Sequence, residues 1–144
     1  MRALLDVNML LALQDQSHIH HARATAWMLA HWDAGWASCP LTQNGCLRIL
    51  SQPGYPNAQT PNAVRERLLE ATSHPAHRFY ADDFSLLEHG VLNWTHVTGS
   101  RQVTDAYLLA LAVRNDLRFV SFDRGIARPT VRGARAEHLV TLAA

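Results

Sequence analysis

The sequence predicts an α/β protein in which a central, mainly parallel sheet carries helices on both faces. Two observations carry that prediction. Short apolar runs (RALLD at 2–6, Trp36–Cys39, RFVSF at 118–122 and EHLVTL at 137–142) alternate with segments of roughly 10 to 15 residues that have helical spacing. Strands separated in this way pair in parallel, because each crossover helix returns the chain to the same edge of the sheet.

The elements follow in order. RALLD reads as a buried strand, which puts Asp6 at its carboxyl end, and residues 8–15 read as a helix. Ser17 is the expected N-cap of a second helix, in which Ile19, Ala22, Ala26, Leu29 and Ala30 recur at helical spacing until Gly35 stops it. After the strand at 36–39, Pro40 opens a helix to about Leu50, since a first-turn proline loses no needed N–H. SQPGYPN is a loop, residues 61–73 form a helix, Phe79 and Tyr80 a short strand, and DDFSLLEHG (82–90) a brief helix. Turn-rich HVTGSR leads to Thr104, the expected cap of the strongest helix, DAYLLALAVRND. RFVSF and the strand at 137–142 complete the sheet, and neither a linker nor a repeat divides residues 1–144, which predicts a single domain.

Composition narrows the class of function. With 48% hydrophobic and 17% charged residues, the chain has enough apolar surface to close a core, so a disordered protein is excluded. Cys39 and Cys46 are the only cysteines and form no CxxC pair, which predicts buried thiols rather than a disulfide or a zinc site. No run approaches the ~20 apolar residues of a membrane span, and no signal peptide is visible, so the expected location is cytoplasmic with no membrane partner. The net charge of +1 predicts no polyanion partner by itself. Its distribution is uneven, however, with seven Arg against four acids in residues 101–144 and six against eight before them. All 13 basic residues are Arg, whose fork grips phosphate in two-pronged fashion.

Three carboxylates fall where open α/β sheets bind ligands, outside the carboxyl ends of strands: Asp6, Asp105 in the first turn of the strong helix, and Asp123 after RFVSF. Each has a plain structural explanation. Asp6, between ALL and VNMLLAL, needs a partner to offset a burial cost on the order of several kcal/mol. Asp105 suits the positive end of a helix, and Asp123 suits an Asx turn before Gly125. Brought together, the three would repel one another unless one stayed protonated or a cation neutralised them. Oxygen ligands of this kind select Mg²⁺ or Mn²⁺, and such a site can activate water against a phosphodiester.

The segments LLDVNMLLAL, SCPLTQNGCLRILSQPGYP and RQVTDAYLLALAVRNDLRFVSFDRG resemble, in order and spacing, the three motif blocks of VapC-type PIN domains. The resemblance implies a PIN-like three-layer α/β/α sandwich and a Mg²⁺- or Mn²⁺-dependent endoribonuclease acting on structured RNA such as transfer RNA. It also implies a toxin of a type II toxin–antitoxin system that forms a homodimer and is inhibited by a cognate VapB-like antitoxin. By position it carries the family's metal-site aspartates onto Asp6, Asp105 and Asp123, and the flanking small polar residues onto Asn8 and Thr104. Gln43 is the departure, because many members have Glu there. It occupies a catalytic position with one fewer negative charge, which keeps a second expectation open: a PIN-fold RNA or antitoxin binder with weakened catalysis.

The absence of Lys argues against receiver domains, P-loop ATPases and haloacid-dehalogenase-like phosphatases, which place a lysine at the phosphate. His18, His20 and His21 are expected to be solvated rather than ligating. Among Arg114, Arg118, Arg124, Arg128, Arg132 and Arg135, Arg124 is the expected RNA contact because it adjoins Asp123. Trp27, Trp32, Trp36 and Trp94 are expected in the core or on a dimer face.

Overall fold

The computed structural model describes residues 1–143. Five strands, β1 (Ala3–Leu5), β2 (Trp36–Ser38), β3 (His77–Phe79), β4 (Arg118–Ser121) and β5 (Leu139–Thr141), form one sheet in the order β3-β2-β1-β4-β5. Every pairing is parallel, so the expected mainly parallel sheet is parallel throughout. Five helices connect the strands: α1 (Val7–Gln14), α2 (His21–Ala30), α3 (Pro40–Leu50), α4 (Pro61–Thr72) and α5 (Gln102–Arg114).

The pleat sorts β1 between two cores. Ala3 and Leu5 join a cluster with Met9 of α1, Trp27 of α2, Cys46 of α3 and Val64 of α4. Leu4 points the other way, toward Leu108, Leu109 and Leu111 of α5 and Phe119 of β4. These are the three layers of an α/β/α sandwich. Six residues of α5, from Ala106 to Ala112, are buried, so this helix is apolar nearly all round, as a helix covered on several sides must be.

Several boundaries differ from the sequence reading, and each has a local hydrogen-bonding reason. Helix α2 begins at His21 and Ser17 caps nothing, because Asp15 Oδ1 accepts from Ser17 N at 2.9 Å and His18 Nδ1 accepts from His20 N at 3.0 Å. Helix α5 begins at Gln102, not at Thr104. Gln102 Oε1 reaches back to accept from the N–H groups of Thr98 and Gly99, holding the chain one turn before Thr104. Residues 82–90 are turns rather than a helix. Asp82 Oδ2 accepts from Leu41 N at 2.9 Å across the fold, and Ser85 Oγ accepts from Leu87 N, so both side chains serve contacts that compete with helix formation. Strand β3 lies at 77–79 rather than at Phe79 and Tyr80, and β1 is confined to 3–5. The last strand starts at Leu139, because His138 Nδ1 takes the Arg135 N–H and closes a 3₁₀ turn.

Trp27 and Trp36 are buried, whereas Trp32 and Trp94 are exposed. Cys39 and Cys46 are free and buried, and burial pushes their thiols up to about 11 and about 12, so neither is a ready nucleophile. No helix among the described residues is long and apolar enough to cross a membrane.

Gly35 sets the entry into β2. Its φ is +77°, and an added Cβ would stand 2.8 Å from the Ala76 carbonyl oxygen while its own carbonyl accepts from Ala3 N at 3.1 Å. Gly35→Ala therefore combines left-handed strain with a backbone clash and should cost about 2 kcal/mol or more. Thermal unfolding should shift down by several degrees with the denaturant slope unchanged, and an unaltered melting temperature would contradict the constraint.

Candidate active site

The strand order places the site. β1 pairs with β2 on one side and β4 on the other, so the chain runs outward to β3 in one direction and to β5 in the other. The crevice beyond the carboxyl ends of β1 and β4 is the topological switch point of the sheet. Register then fixes which residues meet there: Leu5 lies opposite Val120, and Asp6 N donates to Val120 O at 3.0 Å, which sets Asp6 beside the end of β4.

Asp6 is only 7% exposed. Its Oδ1 accepts from Val7 N at 2.7 Å as the N-cap of α1, and its Oδ2 accepts from Ser121 Oγ at 2.6 Å. Burial raises its pKa above the ordinary carboxylate range; the two hydrogen bonds pull it back, and the charge of Asp123 adds to the rise. Asp105, partly buried in the first turn of α5, is pushed up to about 7. Burial is the largest cause, followed by the charges of Asp6 and Asp123 and by a hydrogen bond to Asp123 that favours the protonated form. Asp123 is exposed, with Oδ1 accepting from Gly125 N at 2.7 Å in the expected Asx turn. The three expected aspartates therefore share one electrostatic neighbourhood.

Ser121, which the sequence reading missed, is the hub of that neighbourhood. Its buried hydroxyl donates to Asp6 Oδ2 and accepts from Asn8 Nδ2 at 2.9 Å and from Asp123 N at 3.0 Å. Asn8 Oδ1 in turn accepts from Phe122 N at 3.2 Å, so Asn8 ties α1 to the end of β4. The signal was present in RFVSF: a hydroxyl ending a buried strand needs a partner, and two residues later comes an acid.

The other expected residues divide. Thr104 is exposed in the first turn of α5, and Arg124 is exposed with no carboxylate partner among the described residues. Gln43 Nε2 donates to Ser38 Oγ at 2.9 Å, and that hydroxyl also contacts His77 Nε2 at 2.8 Å. Gln43 also faces a crevice shared with Leu47, Arg65 and Thr72, and no hydrogen bond among the described residues joins it to the aspartates.

As they stand, no three His, Cys, Asp or Glu side chains among the described residues are gathered into a ligand set. The hydrogen bonds explain the spacing, since both oxygens of Asp6 and one of Asp123 take local donors. The donor set nonetheless fits a hard divalent cation: it is all carboxylate oxygen, and the raised Asp105 marks more negative charge than the crevice can solvate. A cleft of about 10 Å³ beside Asp105, bordered by Gly125, Ala127 and Thr130, has room for about one water. Larger clefts of about 280 and 360 Å³ border Tyr55 and Arg67, and Met28 and Trp32, with none of the three aspartates on their walls. An open acidic rim suits a polymer lying across it better than an enclosed small molecule.

Comparison with known proteins agrees with this geometry. The PIN domain family matches residues 3–131. The chain is 49% identical over 142 residues to Ribonuclease VapC44 of Mycobacterium tuberculosis, covering 99% of this chain and 100% of that one. It is 46% identical over 125 residues to Ribonuclease VapC38 of the same organism, covering 86% of each. In fold it is similar to the crystal structure of Mycobacterium tuberculosis VapC20, a sarcin-ricin loop cleaving toxin, with a TM-score of 0.59 at 15% identity over 85% of this chain and 91% of that one. Full-length identity at this level, on a sheet with the same layered build, means that the chain belongs to the VapC group of the PIN-domain family.

Proposed function

We propose that this protein is an endoribonuclease of the VapC type that hydrolyses phosphodiester bonds in structured RNA at Asp6, Asp105 and Asp123 with Mg²⁺ or Mn²⁺. The observation that carries the reading is the set of mutually coupled carboxylates at the switch point, with Asp105 held near neutrality. Identity to proteins named as ribonucleases supports the reaction class. In the cell the chain is the toxin of a toxin–antitoxin pair, silenced by a VapB-like antitoxin, and acts as a homodimer. Exposed Ile19, Leu29 and Trp32 support a surface that partners cover.

The chain's own residues have distinct tasks. Ser121 and Val7 N hold the Asp6 carboxylate in one orientation, so no reorganisation is needed when substrate arrives. Asn8 keeps Phe122 and Asp123 in register with α1. Asp105, its carboxyl raised to about 7 by burial and by the charges of Asp6 and Asp123, would lose its proton to solvent if the three carboxylates held a divalent ion; its carboxylate would then take a proton from the attacking water as the new P–O bond forms and return it to the leaving oxygen as the old P–O bond breaks. A bound divalent ion supplies Lewis acidity, lowering the pKa of that water and offsetting charge on the phosphate. Gln43, uncharged and hydrogen-bonded to Ser38, contributes to this scheme through the end of β2 rather than as a carboxylate.

Two outcomes test the reading. Purified protein with total RNA should cleave in Mg²⁺ or Mn²⁺ and not in EDTA, while Asp6→Asn and Asp105→Asn should each lower the rate by about a hundredfold or more and weaken Mn²⁺ binding in calorimetry. Metal-independent RNA binding without turnover would favour the non-catalytic binder instead. The second outcome concerns pH. A carboxyl raised to about 7 binds its proton more tightly in the folded chain than in the unfolded one, so its stabilising contribution is complete below the unfolded value near 3.8 and is lost as pH rises through about 7. In EDTA the melting temperature should fall between about pH 5 and pH 8, Asp105→Asn should flatten the fall, and saturating Mn²⁺ should reverse it. Parallel pH profiles for wild type and Asp105→Asn would exclude Asp105 as the titrating group.

A further inference from the structure

We infer that His20 is an RNA-positioning residue: stacked on Phe122 at the rim of the carboxylate site, its imidazole edge donates a hydrogen bond to a phosphate oxygen of the RNA strand entering that site. The inference rests on the nuclease reading and adds a residue that the aspartates do not explain.

Phe122 lies between Ser121 and Asp123, and its N–H is fixed by Asn8 Oδ1. The His20 ring stacks on the Phe122 ring with centroids 4.6 Å apart and planes 19° from parallel. The loop that presents His20 is held beforehand. Asp15 accepts from Ser17 N at 2.9 Å and from the Tyr55 hydroxyl at 2.5 Å, and His18 Nδ1 accepts from His20 N at 3.0 Å.

Three histidines cluster where this loop enters α2, and their rings have different fates. His18 uses Nδ1 on the His20 N–H, and His21 Nδ1 is 2.7 Å from Ala12 O. Neither ring nitrogen of His20 has a hydrogen-bond partner among the described residues, although the ring is only partly exposed. His20 precedes α2 but provides no side-chain cap. Packing accounts for its face and leaves its polar edge unused. A neutral imidazole always carries one N–H donor. Beside three carboxylates that repel phosphate, a donor on the rim is what an incoming RNA strand lacks, and Arg124 offers a second on the other side of Asp123.

His20→Phe separates the two parts of the ring, because it keeps the stack and removes both nitrogens. Its melting temperature should match wild type. On an RNA that the wild-type protein cleaves in Mn²⁺, KM should rise about tenfold or more, as for a lost hydrogen bond to a charged group, while kcat changes by no more than about twofold. Short 2′-O-methyl oligoribonucleotides carrying single methylphosphonate linkages locate the contact: one position should weaken wild-type binding and leave His20→Phe binding unaffected. A His20→Phe protein with wild-type KM, or one with the wild-type pattern of methylphosphonate sensitivity, overturns the inference. If wild type cleaves RNA and His20→Phe equals it, this inference alone falls. If wild type neither binds nor cleaves RNA, the nuclease reading falls and takes this one with it.

Discussion

Placing a carboxylate where β1 turns into α1 is the constraint around which the molecule is arranged. Asp6 follows three buried residues and precedes a helix whose Met9, Leu10, Leu11 and Ala12 are buried, so water cannot solvate it from either side along the chain. Left unpartnered, such a group costs on the order of several kcal/mol. Two donors offset that cost, the Val7 N–H of the helix it caps and the Ser121 hydroxyl from the neighbouring strand. The second donor exists only if β4 pairs beside β1 in the observed register, so satisfying one acid and closing the sheet at its switch point are the same requirement. The remaining residues of the site hang from Ser121: Asn8 donates to it, and Asp123 enters its turn through it.

Much of this was legible in the linear sequence. Short continuous apolar runs and the acids after them marked the strand ends, and the positions of Asp6, Asp105 and Asp123 followed from a rule about sheets, not from knowledge of contacts. What could not be read depended on side chains that reach across the fold. Ser17 looks like a cap until Asp15 is seen to hold its N–H, and Thr104 looks like a cap until Gln102 folds back onto Thr98 and Gly99. The helix expected at 82–90 fails because Asp82 is committed to the first turn of α3, forty-one residues earlier in the chain. The rim formed by His20 and Phe122 belongs to the same class, since nothing local joins residues so far apart in sequence.

Gln43 illustrates how position and role separate. A family motif assigns a place on α3, and the structure supplies that place, yet the side chain is an amide and its hydrogen bond runs to Ser38 and from there to His77. Burial lowers the pKa of His77, which favours a neutral ring able to accept at Nε2 while the Ser38 hydroxyl accepts from the amide. An amide suits that chain because it donates; a carboxylate in its place would turn the first link into an acceptor and leave the Ser38 proton with two claimants. The neutral residue is thus matched to its own neighbours at the end of β2, whatever charge the site loses by it.

A net charge of +1 and three acids in the switch-point crevice leave little long-range attraction for a polyanion. Electrostatic steering, which raises encounter rates when a basic face meets a nucleic acid, is therefore weak for this chain. On the proposed reading, recognition of RNA therefore rests on short-range contacts formed after it has arrived. The arginine bias of residues 101–144 is consistent with such contacts. Guanidinium groups grip individual phosphates with defined geometry rather than adding to a broad field, and Arg124 and Arg128 are exposed on the chain that leaves Asp123. Under the proposed nuclease reading, selectivity comes from geometry at the cut, because a strand must bring its phosphates to the rim donors and its scissile bond to the aspartates at the same time.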